Sequence, residues 1–232
     1  MGKRIIQQAR GKGSLTYRVR KKAFIYRVKY PMMEGAASII KLIHSSAHSA
    51  PLIRGKIENI IFYNPAFSKA VEGSAINIGG NEVREGNILA LKNIPIGTRV
   101  FNIERNPGDG GRMIRSSGSS AIVSKIYENN KIGVTMPNRK EVLFDENCRA
   151  SVGIIAGDGK GQKPFIKAGR KYYKMRARGK LWPRISAVST NAVDHPFGSG
   201  RGKRIKSKTA KRNAPPGRKV GHLRPSRTGK RK

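Results

Sequence analysis

The sequence is poor in acid, in cysteine and in long apolar runs. Of its 232 residues only 13 are Asp or Glu, against 49 Lys or Arg, giving a formal net charge of +36. Such a chain repels itself unless a polyanion offsets the charge, which points to nucleic acid and, second, to an anionic membrane surface. The single cysteine, Cys148, excludes an intrachain disulfide framework and the usual cysteine-rich zinc sites. It suits a reducing compartment, as a small buried residue. No apolar run approaches the roughly 18 to 20 residues that span a bilayer, and "MGKRIIQQARGKG" has no signal-peptide core behind it. The expectation is a soluble, cytoplasmic chain with no membrane partner.

What charge there is falls unevenly. Residues 1–30 hold ten basic side chains and no acid, 31–158 hold fifteen basic against twelve acidic, and 159–232 hold twenty-four basic against one acid, Asp194. The middle can fold as an ordinary globular unit. Both ends are too basic and too poor in Val, Ile, Leu and Phe to close a core alone, and should order on a partner.

Within the middle the pattern is that of short strands. "SIIKLIH", "PLIRGKIENIIFY", "GSAINIG" and "NILALKNI" mix β-branched residues with turn clusters such as Gly79-Gly80-Asn81. A second group follows: "TRVFNIE", "SAIVSKIYENN", "KIGVTMP", "KEVLFD" and "RASVGIIAG", with a hairpin expected at Pro137-Asn138-Arg139. Roughly ten strands of this length are accommodated economically by two tandem small β-barrels divided near Pro95-Ile96-Gly97; a single larger sandwich is the alternative.

Several stretches could carry chemistry. In "RNPGDGGRMIRSSG", Pro107-Gly108 starts a tight turn, Gly110 and Gly111 let the backbone approach another surface, and Arg112 and Arg115 add fixed charge, a combination that suits a phosphate. A nucleotide-hydrolysing loop is excluded nearby: ahead of Gly159-Lys160 the required Gly position is Ile154, and Gly161 stands where Ser or Thr is needed. His44 and His48 have i, i+4 spacing, but the surrounding Ser-rich sequence reads as a turn and no carboxylate or cysteine completes a metal site. No metal or cofactor is expected. From Lys160 on, "KPFIKAGRKYYKMRARGKLWPR" interleaves Phe165, Tyr172, Tyr173 and Trp182, which can stack on splayed bases, with Lys167, Arg170, Lys171, Lys174, Arg176 and Arg178, which can contact phosphate.

Taken together, "NPGDGGRMIRSSG", "CRASVGIIAG", "KPFIKAGRKYYKMRARGKLWPR", "NAVDHPFGSG" and "RNAPPGRKVG" closely resemble the L-two family of large-subunit ribosomal proteins in its archaeal form. The match is strongest from about Ile94 onward, and the Gly-Lys-Gly arm at the N-terminus also fits. The resemblance implies a mainly β fold: a basic arm (1–34), an oligonucleotide-binding-type barrel (35–95), an SH3-like barrel (96–172) and a basic Gly/Pro-rich extension (173–232). It implies tails threaded into large-subunit rRNA near the peptidyl transferase region. Neighbouring ribosomal proteins would be partners, and tRNA and the small subunit indirect ones. The rRNA-binding residues expected are Arg112, Arg115, Lys167, Arg170, Lys171, Tyr172, Lys174, Arg176, Arg178 and Trp182 together with Lys3, Arg4, Arg10, Lys12, Arg184, Asn191, Asp194, His195, Pro196, Gly198, Arg201, Arg218 and Lys219. The chain departs from the family pattern at Ser199, at Ser189-Thr190 and in "HSSAHSAP".

Asp194-His195 raises a separate question. An acid/base pair needs a reacting group in reach and a dry pocket, and this Gly-rich, basic stretch supplies neither. The expected role is to shape the chain, Asp194 capping a turn or orienting Arg201 or His195, Pro196 holding His195 extended, and Gly198 and Gly200 allowing close approach to RNA. The competing functions are a free-standing RNA chaperone or packaging protein, which the charge permits, and a hydrolase built on Asp194 and His195.

Overall fold

The computed structural model describes residues 4–15, 17–200 and 209–224. They divide into two compact units: Lys21–Ile166, and the two chain ends, up to Arg20 and from Lys167 onward.

The Lys21–Ile166 unit is mainly β. Its strands are β1 (Gly35–Ile43), β2 (Leu52–Ile57), β3 (Ile60–Pro65), β4 (Ala75–Ile78), β5 (Ile88–Ala90), β6 (Arg99–Phe101), β7 (Ala121–Tyr127), β8 (Lys131–Thr135), β9 (Glu141–Asp145) and β10 (Arg149–Val152). They hydrogen-bond as one sheet in the order β3-β2-β1-β4-β5-β10-β6-β7-β8-β9. Period-two alternation sets the register: Ile53, Gly55 and Ile57 of β2 face inward and Arg54 and Lys56 outward. Gly55 has no alternative, since a Cβ there would lie 2.5 Å from the Phe62 ring. The expected hairpin joins β8 to β9, closed by Arg139 N–H to the Met136 carbonyl at 2.8 Å.

Two apolar clusters form the core. The first gathers Tyr30, Ile39, Ile53, Ile57, Phe62, Ile76, Ile78, Ile88, Phe101 and Ile155 among others. The second gathers Leu89, Leu91, Ile94, Val100, Ile103, Val123, Ile132, Val134, Phe144, Cys148 and Ala150 among others. Adjacent residues on one strand serve opposite clusters, Ile88 and Leu89 on β5 and Val100 and Phe101 on β6. Successive side chains point to opposite faces, so these strands act as a shared wall, and the sequence division near Pro95 lies between them. A buried polar network crosses the same place. The Tyr30 hydroxyl lies 2.7 Å from the Asn102 carbonyl and 2.8 Å from Ser151 Oγ, and Asn64 donates to Ser151 at 3.0 Å and accepts from Asn102 at 2.8 Å.

The unit made by the chain ends holds α1 (Ile6–Gly11), α2 (Ala168–Ala177) and a short parallel pair, β11 (Thr209–Ala210) and β12 (His222–Leu223). Among its described residues only Ile5 and Ala210 are buried, so it has almost no core. Helix α2 stops at a Schellman motif. Gly179, at φ +62°, takes the left-handed position, its N–H bonds Arg176 O at 3.2 Å, and the Lys180 N–H bonds Met175 O at 2.9 Å. Lys174 and Arg176 in the last turn also suit the negative end of the helix. The division expected after residue 172 falls inside this helix.

Candidate nucleic-acid interface

The basic-aromatic stretch is organised by α2. Lys171, Lys174, Met175 and Arg178, at i, i+3, i+4 and i+7, are half-buried, whereas Arg170, Tyr172, Tyr173 and Arg176 are exposed. Lys171 Nζ sits 5.4 Å over the Trp182 ring, a cation–π pair that occupies one face of the indole. Tyr172 and Tyr173 meet edge to face at 5.5 Å, and Tyr173 remains 68 % exposed. Arg178 Nε lies buried with no acceptor among the described residues, a charged donor left for an external oxygen. Lys167 and Arg184 are exposed on either side of the helix.

The stretch that carries Asp194-His195 is a loop closed on itself. The Ser199 N–H bonds Thr190 O at 3.1 Å, the Asp194 and His195 N–Hs both bond Asn191 O at 3.0 and 3.2 Å, and the Gly198 N–H bonds His195 O at 2.9 Å. His195 Nδ1 accepts the Phe197 N–H at 3.0 Å, spanning Pro196. That bond requires Nδ1 without a proton, so the imidazole serves as a backbone brace. Gly198 is explained within the chain as well: a Cβ would lie 2.5 Å from Thr190 O. Asn191 and Pro196 are exposed, Asp194 and His195 half-buried.

His195 also lines an open groove of about 450 Å³ with Ile5, Gln7 and Gln8 beside α1, and Pro216, Lys219 and Val220 of the C-terminal segment. Both chain ends therefore line one groove, with Lys219 its one Lys or Arg. Arg4, exposed, and Arg10, half-buried, belong to the α1 segment, with Lys12 exposed just beyond it; Arg218 and Lys219 are exposed in the turn opened by Pro215. Lys3 and Arg201 lie outside the described residues.

Arg112 and Arg115 belong to the other unit. The N–H groups of their loop are bonded to carboxylates of the same chain. Gly110 and Gly108 donate to Glu104 at 2.9 and 3.2 Å, Gly111 to Asp109 at 3.0 Å, and Arg105 and Asn106 to the other Asp109 oxygen at 3.0 and 3.2 Å. Glu104 is fully buried and pairs with Arg149 at 3.0 Å. The glycines bend the backbone around an internal anion, which an external one would have to displace. Arg112 stays largely exposed at 3.8 Å from Asp109. Arg115 is half-buried, and its charge together with burial keeps the neighbouring His48 below the usual histidine range, burial being the larger cause. His48 bonds Ser45 Oγ through Nδ1 at 2.8 Å. No group of three metal-ligating side chains occurs among the described residues, and no helix among them is long and apolar enough to cross a membrane.

Comparison with known proteins adds a family. The model for Ribosomal Proteins L2, C-terminal domain, matches residues 84–217. Over the whole chain the sequence is 46 % identical to the large ribosomal subunit protein uL2 of Archaeoglobus fulgidus, covering 100 % of both. It is 42 % identical to that of Korarchaeum cryptofilum and 40 % to that of Sulfolobus acidocaldarius, covering 100 % of this chain and 97 % and 99 % of theirs. The chain belongs to the uL2 family.

For this uL2-family chain, sequence reasoning missed two things that shape the surface. Helix α2 was signalled by Gly179 following a Lys/Arg-rich turn, the usual mark of a helix end. The Glu104–Arg149 pair had no local signal, because its partners are 45 residues apart.

Proposed function

We propose that this chain is a non-enzymatic structural constituent of the large ribosomal subunit that binds rRNA chiefly through the unit formed by its two ends. The observation that carries this is the unit's make-up: dense Lys and Arg side chains over almost no buried apolar surface, with Ile5 and Ala210 its buried residues among those described. Such a surface gains stability when phosphates neutralise it and counterions are released. Exposed Tyr172 and Tyr173 offer faces on which bases stack, and the unpaired Arg178 Nε offers a donor. The candidates Lys3, Arg4, Arg10, Lys12, Arg112, Arg115, Lys167, Arg184, Arg201, Arg218 and Lys219 supply phosphate contacts that position the protein without reading sequence.

The two apolar clusters correspond in this reading to an oligonucleotide-binding-type barrel over 35–95 and an SH3-like barrel over 96–172, flanked by the basic extensions 1–34 and 173–232. Family membership supports a place near the peptidyl transferase region, contacts with neighbouring ribosomal proteins, and roles in subunit association, tRNA placement and peptide-bond formation. The bond from Phe197 N–H to His195 Nδ1 favours a bracing role for this histidine. Assembled ribosomes carrying His195→Ala should keep normal peptide-bond formation rates.

The test is sedimentation of cell extract through a sucrose gradient in high salt, following the chain by mass spectrometry. Single-strand phosphate contacts lose affinity with a log–log salt slope of about 0.7 each, so a superficially bound chain washes off. One copy retained per large subunit is expected; release to the top fractions would favour a free RNA chaperone.

A further inference from the structure

Two of the four aspartates stand before a glycine, in Asp109-Gly110 and Asp158-Gly159, and no asparagine does. In such a pair the glycine, lacking a Cβ, leaves its nitrogen open to the aspartyl carboxyl, and attack there closes a five-membered ring. The structure treats the two pairs in opposite ways.

At Asp109 the reacting groups are engaged elsewhere. The Gly110 N–H is given to Glu104 at 2.9 Å, and Gly110 is buried. The Asp109 carboxylate receives the N–Hs of Gly111, Arg105 and Asn106 at 3.0, 3.0 and 3.2 Å.

At Asp158 the same groups are brought together. Its Oδ1 lies 2.7 Å from Gly159 N, so the carboxyl carbon is one bond beyond an atom that the nitrogen already contacts. Gly118, at φ +70°, leaves the space in which this carboxyl sits, and a Cβ there would strike it. The turn is tethered on both sides. The Ile155 N–H bonds Ser119 O at 3.3 Å, Lys160 Nζ bonds Ser49 O at 3.0 Å, and the Gln162 N–H bonds Gly159 O at 3.0 Å. Asp158 is exposed and Gly159 half-buried, so water reaches the pair. Reacting atoms held at about 3 to 3.5 Å are spared the search that a flexible chain must make.

We propose that Asp158-Gly159 is a site of spontaneous covalent modification, in which Gly159 N attacks the Asp158 side-chain carboxyl and the resulting succinimide opens to isoaspartate. The N–Cγ bond forms as the Cγ–OH bond breaks, and the hydroxyl leaves with the amide proton as water. A second water then opens the ring. Addition at Cγ restores aspartate, and addition at the former main-chain carbonyl gives isoaspartate, so the overall composition is unchanged. The product has one more methylene in its main chain and a free α-carboxylate ahead of Lys160.

The experiment incubates the full chain in mildly acidic high-salt buffer, native or in urea, and follows its peptides by electron-transfer mass spectrometry, which distinguishes aspartate from isoaspartate. In the native chain Asp158 should isomerise about tenfold or more faster than Asp109, and at least as fast as it does in urea. In urea the two pairs should converge. Gly118→Ala leaves the dipeptide intact but displaces the carboxyl; it should slow Asp158 in the native chain and leave its rate in urea unchanged. Asp158→Asn, which loses ammonia on closing the same ring, should arrive at the same mixture of aspartate and isoaspartate. Circular dichroism shows whether Gly118→Ala folds, and the comparison of native with unfolded chain stands without that variant. Equal native rates at Asp158 and Asp109, or a native rate at Asp158 below its rate in urea, would overturn the proposal. So would a folded Gly118→Ala chain that isomerises as fast as the unchanged one.

Discussion

Replacing Glu104 by Gln should destabilise the Lys21–Ile166 unit by about 3 kcal/mol, the range found when one partner of a buried ion pair is removed. The structure sets the terms. Glu104 is fully buried, the Arg149 side chain is 12 % exposed, and the two are 3.0 Å apart. Glu104 also receives the N–Hs of Gly108, Gly110 and Arg149 at 3.2, 2.9 and 2.9 Å. An amide in its place keeps one acceptor oxygen, so part of this set survives, but the other oxygen becomes a donor pointed at donors. Arg149 retains the Pro31 carbonyl at 2.7 Å and the Tyr30 ring, 5.5 Å from its guanidinium carbon, yet loses its counter-charge. Adding Arg149→Met removes the stranded charge, and the double variant should recover at least about 1 kcal/mol relative to Glu104→Gln alone. The assay is urea unfolding of the full chain in high salt, followed by far-ultraviolet circular dichroism, with the midpoint shifted at constant m-value. A loss below about 1 kcal/mol for Glu104→Gln, or a double variant no more stable than the single one, would refute the reasoning, since a buried pair cannot be both unscreened and expendable.

Three further outcomes follow from the site descriptions. Burial pushes the Cys148 thiol up to about 11, so at pH 8 only about one molecule in a thousand carries the thiolate; iodoacetamide should label the native chain far more slowly than the urea-unfolded one, and equal rates would contradict the burial. Because His48 is held below its ordinary value by burial and Arg115, its contribution to stability is complete above the unfolded pKa of about 6.5 and lost as pH falls through the lower folded value. His48→Gln should therefore flatten the fall of the unfolding midpoint as pH drops below about 6.5. Gly198→Ala, which would drive a methyl group against Thr190 O at 2.5 Å, should open the 190–199 loop and raise amide exchange at Ser199; unchanged exchange there would contradict the packing.

The strands were legible because their signal is local. β-Branched residues mixed with polar ones marked nine stretches that overlap the ten strands of the larger unit, β2 and β3 falling in one stretch, and Pro137-Asn138-Arg139 marked the β8–β9 turn. The shared wall was not legible: whether Leu89 and Ile88 serve one core or two depends on which strands come to flank β5, and β10 begins some sixty residues later. The same holds for Glu104, which reads as a loop acid until Arg149 arrives beside it. At the chain ends composition revealed the cationic and aromatic character but not its arrangement. Lys171 was readable as a phosphate contact, yet the structure lays it on Trp182. Gly198 was readable as room for a backbone to approach RNA, yet its space is filled by the loop's own carbonyls.

The internal anions of the Arg105–Gly118 loop make the two units answer to different variables. Glu104 is buried and tethered in place, so mobile ions cannot screen it, and any free anion would have to compete with a carboxylate supplied by the same chain. The exposed lysines and arginines of the chain ends are governed by ionic strength throughout. On the proposed reading, salt loosens the hold of the chain ends on RNA while the internal ion pair of the Lys21–Ile166 unit stays set.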